Sequence, residues 1–278
     1  MSSRLTLCRN AALLCSYAYN PTIRPTGVCH AVGESASCTT VREGDVLAMV
    51  VDTPTRIYVV FRGTWLQDRN SARRNFRAHL TAEDFYRVHE GFADGLREVW
   101  SDLLQVIRGK LKAKSRPVVI AGHSQGGALA EIAAVRLLND TLDQQFLQLS
   151  EPPRLPDVQG AIFPDALITF GAPRAGDWTY STCVRQLAQS SCFVARFTNV
   201  NDCIPFVPPW SWGYQHGSPE WFLPGGQPRM WVAPGFVVRT LHNLWNRIRT
   251  QRLHDSLHGH RASTYAAKLQ ALPQLRGT

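Results

Sequence analysis

A chain of 278 residues can bury one full α/β core, and domains of that type are often undivided at this length, so residues 1–278 are read as a single domain. Its 44% hydrophobic and 18% charged residues exclude a disordered protein. The net charge of +9 is spread out, with no basic motif interleaved with aromatics, which argues against a nucleic-acid partner, and no apolar run approaches the roughly 18 residues of a transmembrane segment.

Leu5 to Tyr19 is mildly apolar, but Arg9 and Asn10 interrupt it and Pro21 follows, so it reads as an amphipathic first helix and not as a secretory leader. The expected location is then the cytoplasm, or outside the cell by a signal-independent route. Seven cysteines (8, 15, 29, 38, 183, 192 and 203) show neither a C-x-x-C pair nor metal-ligand spacing. Free or buried thiols are expected, with a single pairing such as Cys29 with Cys38 left open.

Asp45–Asp52 (DVLAMVVD) and Arg56–Phe61 (RIYVVF) are β-branched runs separated by Thr53-Pro54-Thr55, two neighbouring strands joined by a turn. The second ends in Phe61-Arg62-Gly63-Thr64, where Thr64 can offer a backbone N–H and a hydroxyl at an inner strand end. Residues 65–80 are polar and basic, with Arg69, Arg73, Arg74 and Arg77, and read either as a solvated helix face or as a mobile lid. Gly91 to Leu111 carries apolar residues at helical spacing, a long amphipathic helix.

The most informative stretch follows. Val118-Val119-Ile120-Ala121 reads as a buried strand, and Gln125 to Leu138 as a helix. Between them lies Gly122-His123-Ser124-Gln125-Gly126, of the form G-x-S-x-G. A strand, this pentapeptide and a helix in that order make a nucleophile elbow, a strained turn that lifts one hydroxyl clear of the backbone. The helix then points its first N–H groups, with Gln125 leading, at the place where an oxyanion would form.

Further on, Ser150–Pro164 is proline-rich and irregular, while Ala166–Phe170 and Cys192–Phe197 are strands. Asp202 follows the second of these on a loop at a strand C-terminus, a suitable place for an acid that orients a base. Residues 208–238 form an insertion rich in Trp, Pro and Gly, which either packs over the sheet edge or makes an apolar rim. His254, His258 and His260 precede a final helix, Ala262–Leu272, and the chain order Ser, Asp, His suits a catalytic triad with any of the three as base.

Taken together, the elements Phe61-Arg62-Gly63-Thr64, Val88-His89-x-Gly91-Phe92, Gly122-His123-Ser124-Gln125-Gly126-Gly127-Ala128, Thr169-Phe170-Gly171-Ala172-Pro173-Arg174-Ala175-Gly176-Asp177 and Asp202-x-Ile204-Pro205 resemble those of the class 3 lipases, from about Asp45 to Tyr265. The resemblance implies an α/β-hydrolase fold, a mostly parallel central sheet with helices on both faces. It implies a carboxylester hydrolase acting on lipid esters, with Ser124 as nucleophile, Asp202 as acid, and Thr64 with Gln125 as oxyanion hole. The family's histidine stands five residues before a tyrosine; His260 and Tyr265 match that interval, which makes His260 the base and leaves His258 and His254 in reserve. Asn75-Phe76-Arg77-Ala78-His79-Leu80 is similar to the family's lid sequence, with Phe and His at positions where the family has Trp and Asp. His89 belongs to a motif that looks structural. No metal or organic cofactor is implied. The partners expected are a lipid ester and, transiently, a lipid interface. The alternatives are a phospholipase A1 or thioesterase of the same fold, or a non-catalytic lipid-binding protein.

Overall fold

The structure, a computed structural model, describes residues 2–63, 79–83, 86–139, 162–225, 230–232 and 259–273. The β-branched runs form strands that are mostly apolar because both of their faces are covered. β2 (Val46–Asp52) and β3 (Ile57–Phe61) are antiparallel neighbours. Thr53 closes the turn between them: its Oγ1 accepts the N–H groups of Thr55 and Arg56. β6 (Val118–His123), β7 (Pro164–Phe170) and β8 (Phe193–Asn199) then add in parallel to β3.

Other strands go beyond the sequence reading. β1 (Ser37–Glu43) pairs antiparallel with β2; only Val41 in it is buried, so an edge strand of mostly polar residues gave no apolar pattern. β9 (Glu220–Leu223) lies inside the stretch read as an irregular insertion, and it pairs in parallel with β8. β10 (Trp231–Val232) closes the order β1-β2-β3-β6-β7-β8-β9-β10. β4 (Leu80–Glu83) and β5 (Tyr86–His89) form a separate hairpin. Leu80, the last residue of the expected lid, therefore belongs to a strand, while residues 64–78 lie outside the described residues.

Helices cover both faces. Neighbouring strand residues alternate sides, as the two-residue period of a strand demands. Met49, Val60, Ala121, Phe170 and Phe197 face α1 (Ser2–Tyr17), α2 (Pro25–Val32) and α6 (Ala262–Ala271). Val59, Ile120, Leu167 and Val194 face α3 (Glu90–Ala113), α4 (Gln125–Asn139) and α5 (Trp178–Gln189). Among the described residues no helix is long and apolar enough to cross a membrane. All seven cysteines are free thiols. The Cys29–Cys38 pairing left open above does not form: Cys29 Sγ instead accepts the N–H of Ala36 at 3.2 Å.

α4 is the most enclosed helix. Ala128 to Val135 are buried without a break, and the run includes one carboxylate, Glu131. Burial raises the Glu131 pKa to about 7, against the opposing influence of the nearby Arg196 guanidinium and of Tyr180 and Ser218. The folded chain thus holds a proton that the unfolded chain releases near pH 4.5, so this group's contribution to stability falls as pH rises from about 4.5 to 7 and is flat above. Glu131→Gln should remove that fall. Thermal melts between pH 4.5 and 8 are expected to show the variant gaining on the wild type with rising pH, by on the order of 3 kcal/mol; parallel curves would contradict it.

Candidate active site

The site begins with a backbone that only certain neighbours permit. Ser124 joins β6 to α4 with φ of +58°, in the left-handed region. Its N–H donates to Phe170 O at 2.9 Å, and its carbonyl accepts the Gly127 N–H at 2.8 Å, so the sharp turn leaves neither group unpaired. Gly122 and Gly126 are obligatory here. A Cβ on Gly122 would lie 2.0 Å from Gly126 O, and one on Gly126 would lie 2.2 Å from Phe61 O. The strand end after β3 is pressed against the same turn, since a Cβ on Gly63 would approach Ser124 Cβ to 2.8 Å.

Three residues from distant parts of the chain meet at this turn. The Ser124 hydroxyl donates to His260 Nε2 at 2.8 Å. On the far side of the ring, Nδ1–H donates to Asp202, 2.9 Å from Oδ2 and 3.1 Å from Oδ1. Asp202 sits just beyond β8, 2% exposed. A buried carboxylate is costly unless its oxygens are fully bonded. Here Oδ1 accepts the Ile204 N–H at 2.9 Å, and Oδ2 accepts the Tyr265 hydroxyl at 2.6 Å. Burial, then the adjacent Asp202 charge, raise the Tyr265 pKa and keep this hydroxyl a donor. Gly171, at φ +58°, makes room for the pair: a Cβ there would lie 2.7 Å from Asp202 Oδ2 and 3.0 Å from His260 Nδ1.

The supports around Asp202 and His260 are polar side chains holding backbone. Asn199, the last residue of β8, donates from Nδ2 to Gly259 O at 2.8 Å, which anchors the turn that carries His260. Lys268 donates to Asn199 Oδ1. Arg174 donates from Nη1 to Pro208 O at 2.7 Å and also to Phe206 O, fastening the loop beyond Asp202. Gln125 is buried and opens α4 directly after Ser124. Thr64, His254 and His258 lie outside the described residues. His89 is buried and stacks on Phe92, with ring centroids 3.9 Å apart. The aromatic stretch divides: Tyr214 and Phe222 are buried, whereas Trp210 and Trp212 are 76% and 62% exposed. Among the described residues no group of His, Cys, Asp and Glu side chains could hold a metal ion.

Sequence reasoning used Tyr265 only as a spacing mark and missed its bond to Asp202. It assigned no role to Asn199 or Arg174. It also missed Tyr19, whose hydroxyl lies 2.7 Å from His123 Nδ1. The five-residue interval between His260 and Tyr265 was the one available signal for the tyrosine: it sets the imidazole just ahead of α6 and the phenol within its first turns, both turned towards Asp202.

A family model described as Lipase (class 3) matches residues 58–212. The secreted mono- and diacylglycerol lipase 1 of Fusarium solani is 31% identical over 140 residues, covering 50% of this chain and 35% of that protein. The lipase of Rhizomucor miehei is 30% identical over 194 residues, covering 66% of this chain and 47% of that protein. The chain thus spans less than half the length of these two relatives. Among solved structures, lipase II from Rhizopus niveus superimposes with a TM-score of 0.67 at 23% identity, over 84% of this chain and 86% of that one, and shares the α/β-hydrolase fold. The Fusarium relative is secreted by name, which overturns the location expected from the N-terminus alone. That expectation failed because residues 2–17 are a structural helix, with Cys8, Leu14 and Cys15 buried in the core, and their lack of leader character says nothing about export.

Tyr265→Phe leaves the buried Asp202 carboxylate one hydrogen bond short. Bonds to charged groups contribute roughly 1.5–3 kcal/mol, and a loss of that size is expected in urea denaturation of the variant. An unchanged midpoint would show that the carboxylate does not depend on the phenol.

Proposed function

The chain belongs to the class 3 lipase family, and we propose that it is an exported serine carboxylester hydrolase acting on glycerolipid esters through Ser124, His260 and Asp202. The observation that carries this reading is the unbroken line of hydrogen bonds from the Ser124 hydroxyl through one imidazole to a buried carboxylate. Such a line has a direction. Asp202 accepts from Nδ1–H, so Nε2 is free of its proton and can take the one on Ser124.

In the proposed reaction Ser124 Oγ attacks the ester carbonyl carbon as its proton passes to His260 Nε2. The tetrahedral oxyanion is received by the backbone N–H groups of Gln125 and Thr64, near the positive end of the α4 dipole. The bond to the alcohol then breaks, and the imidazolium protonates the leaving oxygen. Water repeats the sequence on the acyl-enzyme: His260 takes its proton, the acid departs, and Ser124 regains its hydrogen. Asp202 stays ionised throughout and stabilises the imidazolium. The names of the relatives point to acylglycerols as the substrate class. Exposed Trp210 and Trp212, a few residues beyond the acid, suit contact with a lipid surface, since indole rings favour the boundary between water and apolar phases. The part of residues 65–80 that precedes the β4 strand is the proposed lid.

The test is hydrolysis of short- and long-chain p-nitrophenyl esters by the wild type and by Ser124→Ala. Loss of kcat on the order of 10⁶ in the variant is expected, the scale on which a serine triad fails without its nucleophile. A wild type that turns over no ester, even with detergent present, would refute the reading.

A further inference from the structure

We infer that Tyr19 and His123 are positioning residues for the base, forming one directed hydrogen-bond chain that runs from Tyr19 through His123 to the backbone carbonyl of His260. The inference rests on the catalytic reading of Ser124, His260 and Asp202 and adds to it a second set of supports, on the side of the base away from the acid.

The direction of the chain follows from its end. His123 Nε2 lies 2.6 Å from the carbonyl oxygen of His260. A carbonyl only accepts, so Nε2 carries the hydrogen. In a neutral imidazole the other nitrogen then holds the lone pair, and His123 Nδ1 accepts from the Tyr19 hydroxyl 2.7 Å away. The Tyr19 oxygen in turn packs against Gly63, at the strand end beside the elbow. Close packing supports each link, since a Cβ on Gly63 would lie 2.2 Å from the Tyr19 oxygen and 2.5 Å from the His123 carbonyl. The opposite tautomer would set the Nε2 lone pair against the His260 carbonyl oxygen, two acceptors with no hydrogen between them.

The position of the chain gives it its role. His123 is the last residue of β6, next to Ser124, and turns to the face covered by α1 and α6. It therefore measures the distance from the nucleophile's own strand to the backbone of the base. Asn199 holds the preceding carbonyl, that of Gly259, from the acid's strand at 2.8 Å. Two consecutive carbonyls are thus fixed, one to each partner of the imidazole between them.

Neutrality is part of the arrangement. The rings of His123 and His260 are 4.8 Å apart, so a charged His123 would oppose the imidazolium that His260 must become. Burial, then proximity to His260, push the His123 pKa down to about 3, while the bond to the His260 carbonyl acts the other way. The groups facing His123 are the Tyr19 hydroxyl, the His260 ring and the Tyr265 ring at 5.9 Å, with Arg62 and Cys15 acting on Tyr19 from behind. Burial raises the Tyr19 pKa as well, so the phenol stays protonated and donating.

The experiment compares wild type, Tyr19→Phe, His123→Leu and His123→Gln by steady-state ester hydrolysis and by ¹⁵N NMR of the histidine rings. Tyr19→Phe is expected to lower kcat about tenfold with KM unchanged, the equivalent of one net hydrogen bond. His123→Leu should lose more, and His123→Gln, whose amide can still donate to the His260 carbonyl, should recover part of it. In the wild-type spectra one histidine, identified by its absence from His123→Gln, should stay in the neutral Nε2–H form down to pH 4. Wild-type kcat in Tyr19→Phe, or a His123 that titrates near the usual value of about 6.5, would overturn the inference. A wild type with the locked tautomer but no esterase activity would instead sink the hydrolase reading, and the positioning role with it.

Discussion

The backbone of Ser124 is the constraint on which the site depends. A serine at φ +58° costs on the order of 1–3 kcal/mol, and it persists only where its surroundings allow no other path. Here β6 drives the chain outward, α4 begins at the very next residue, and Gly122 meets Gly126 so closely that no side chain fits between them. The Cα–Cβ bond that carries the hydroxyl is therefore aimed by the main chain. Everything else in the site has to reach that fixed point.

His260 reaches it from a segment far away in sequence, and its accuracy comes from neighbours that bond to backbone. The acid is the costliest member to place, since its carboxylate is buried. Its charge is balanced by donors of three kinds: the His260 ring, the Tyr265 phenol and the Ile204 amide. The loop that presents Asp202 is in turn tied down through Arg174. Rigidity at the reacting atoms is thus built from ordinary hydrogen bonds one layer further out, which is how a preorganised site avoids rearranging during a reaction.

What was legible in the sequence follows from how local the signal is. β2, β3, β6, β7 and β8 are short apolar runs, and they read as strands because both of their faces are buried. The elbow is legible because its geometry demands glycines at fixed offsets from Ser124. β1 was missed because its exposed edge is polar, and β9 because Glu220, Trp221 and Phe222 sit among prolines and tryptophans that suggest a loop. The three clustered histidines could not be separated by residue type; the interval to Tyr265 selected His260, which lies between Ser124 and Asp202. Links such as Tyr19 to His123 join residues 104 apart, and nothing in either segment announces the other.

The first and last helices of the sheet's apolar flank bear on the site in a way their remoteness conceals. α1 packs against α6, and Arg9 donates from Nε to Leu269 O at 3.0 Å and also to Leu272 O. α6 contributes Tyr265 and follows directly on His260, so His260 and one support of Asp202 rest on a helix that α1 holds in place. Shortening the chain to begin after Tyr17 would uncover Tyr265, Ala266 and Leu269, which share one core with Ala11, Leu14 and Cys15. A tag that unfolds the first helix, or a proteolytic nick between α1 and the sheet, would be felt first as a loosened imidazole. For this fold the loss of α1 would be an operation on the geometry around His260.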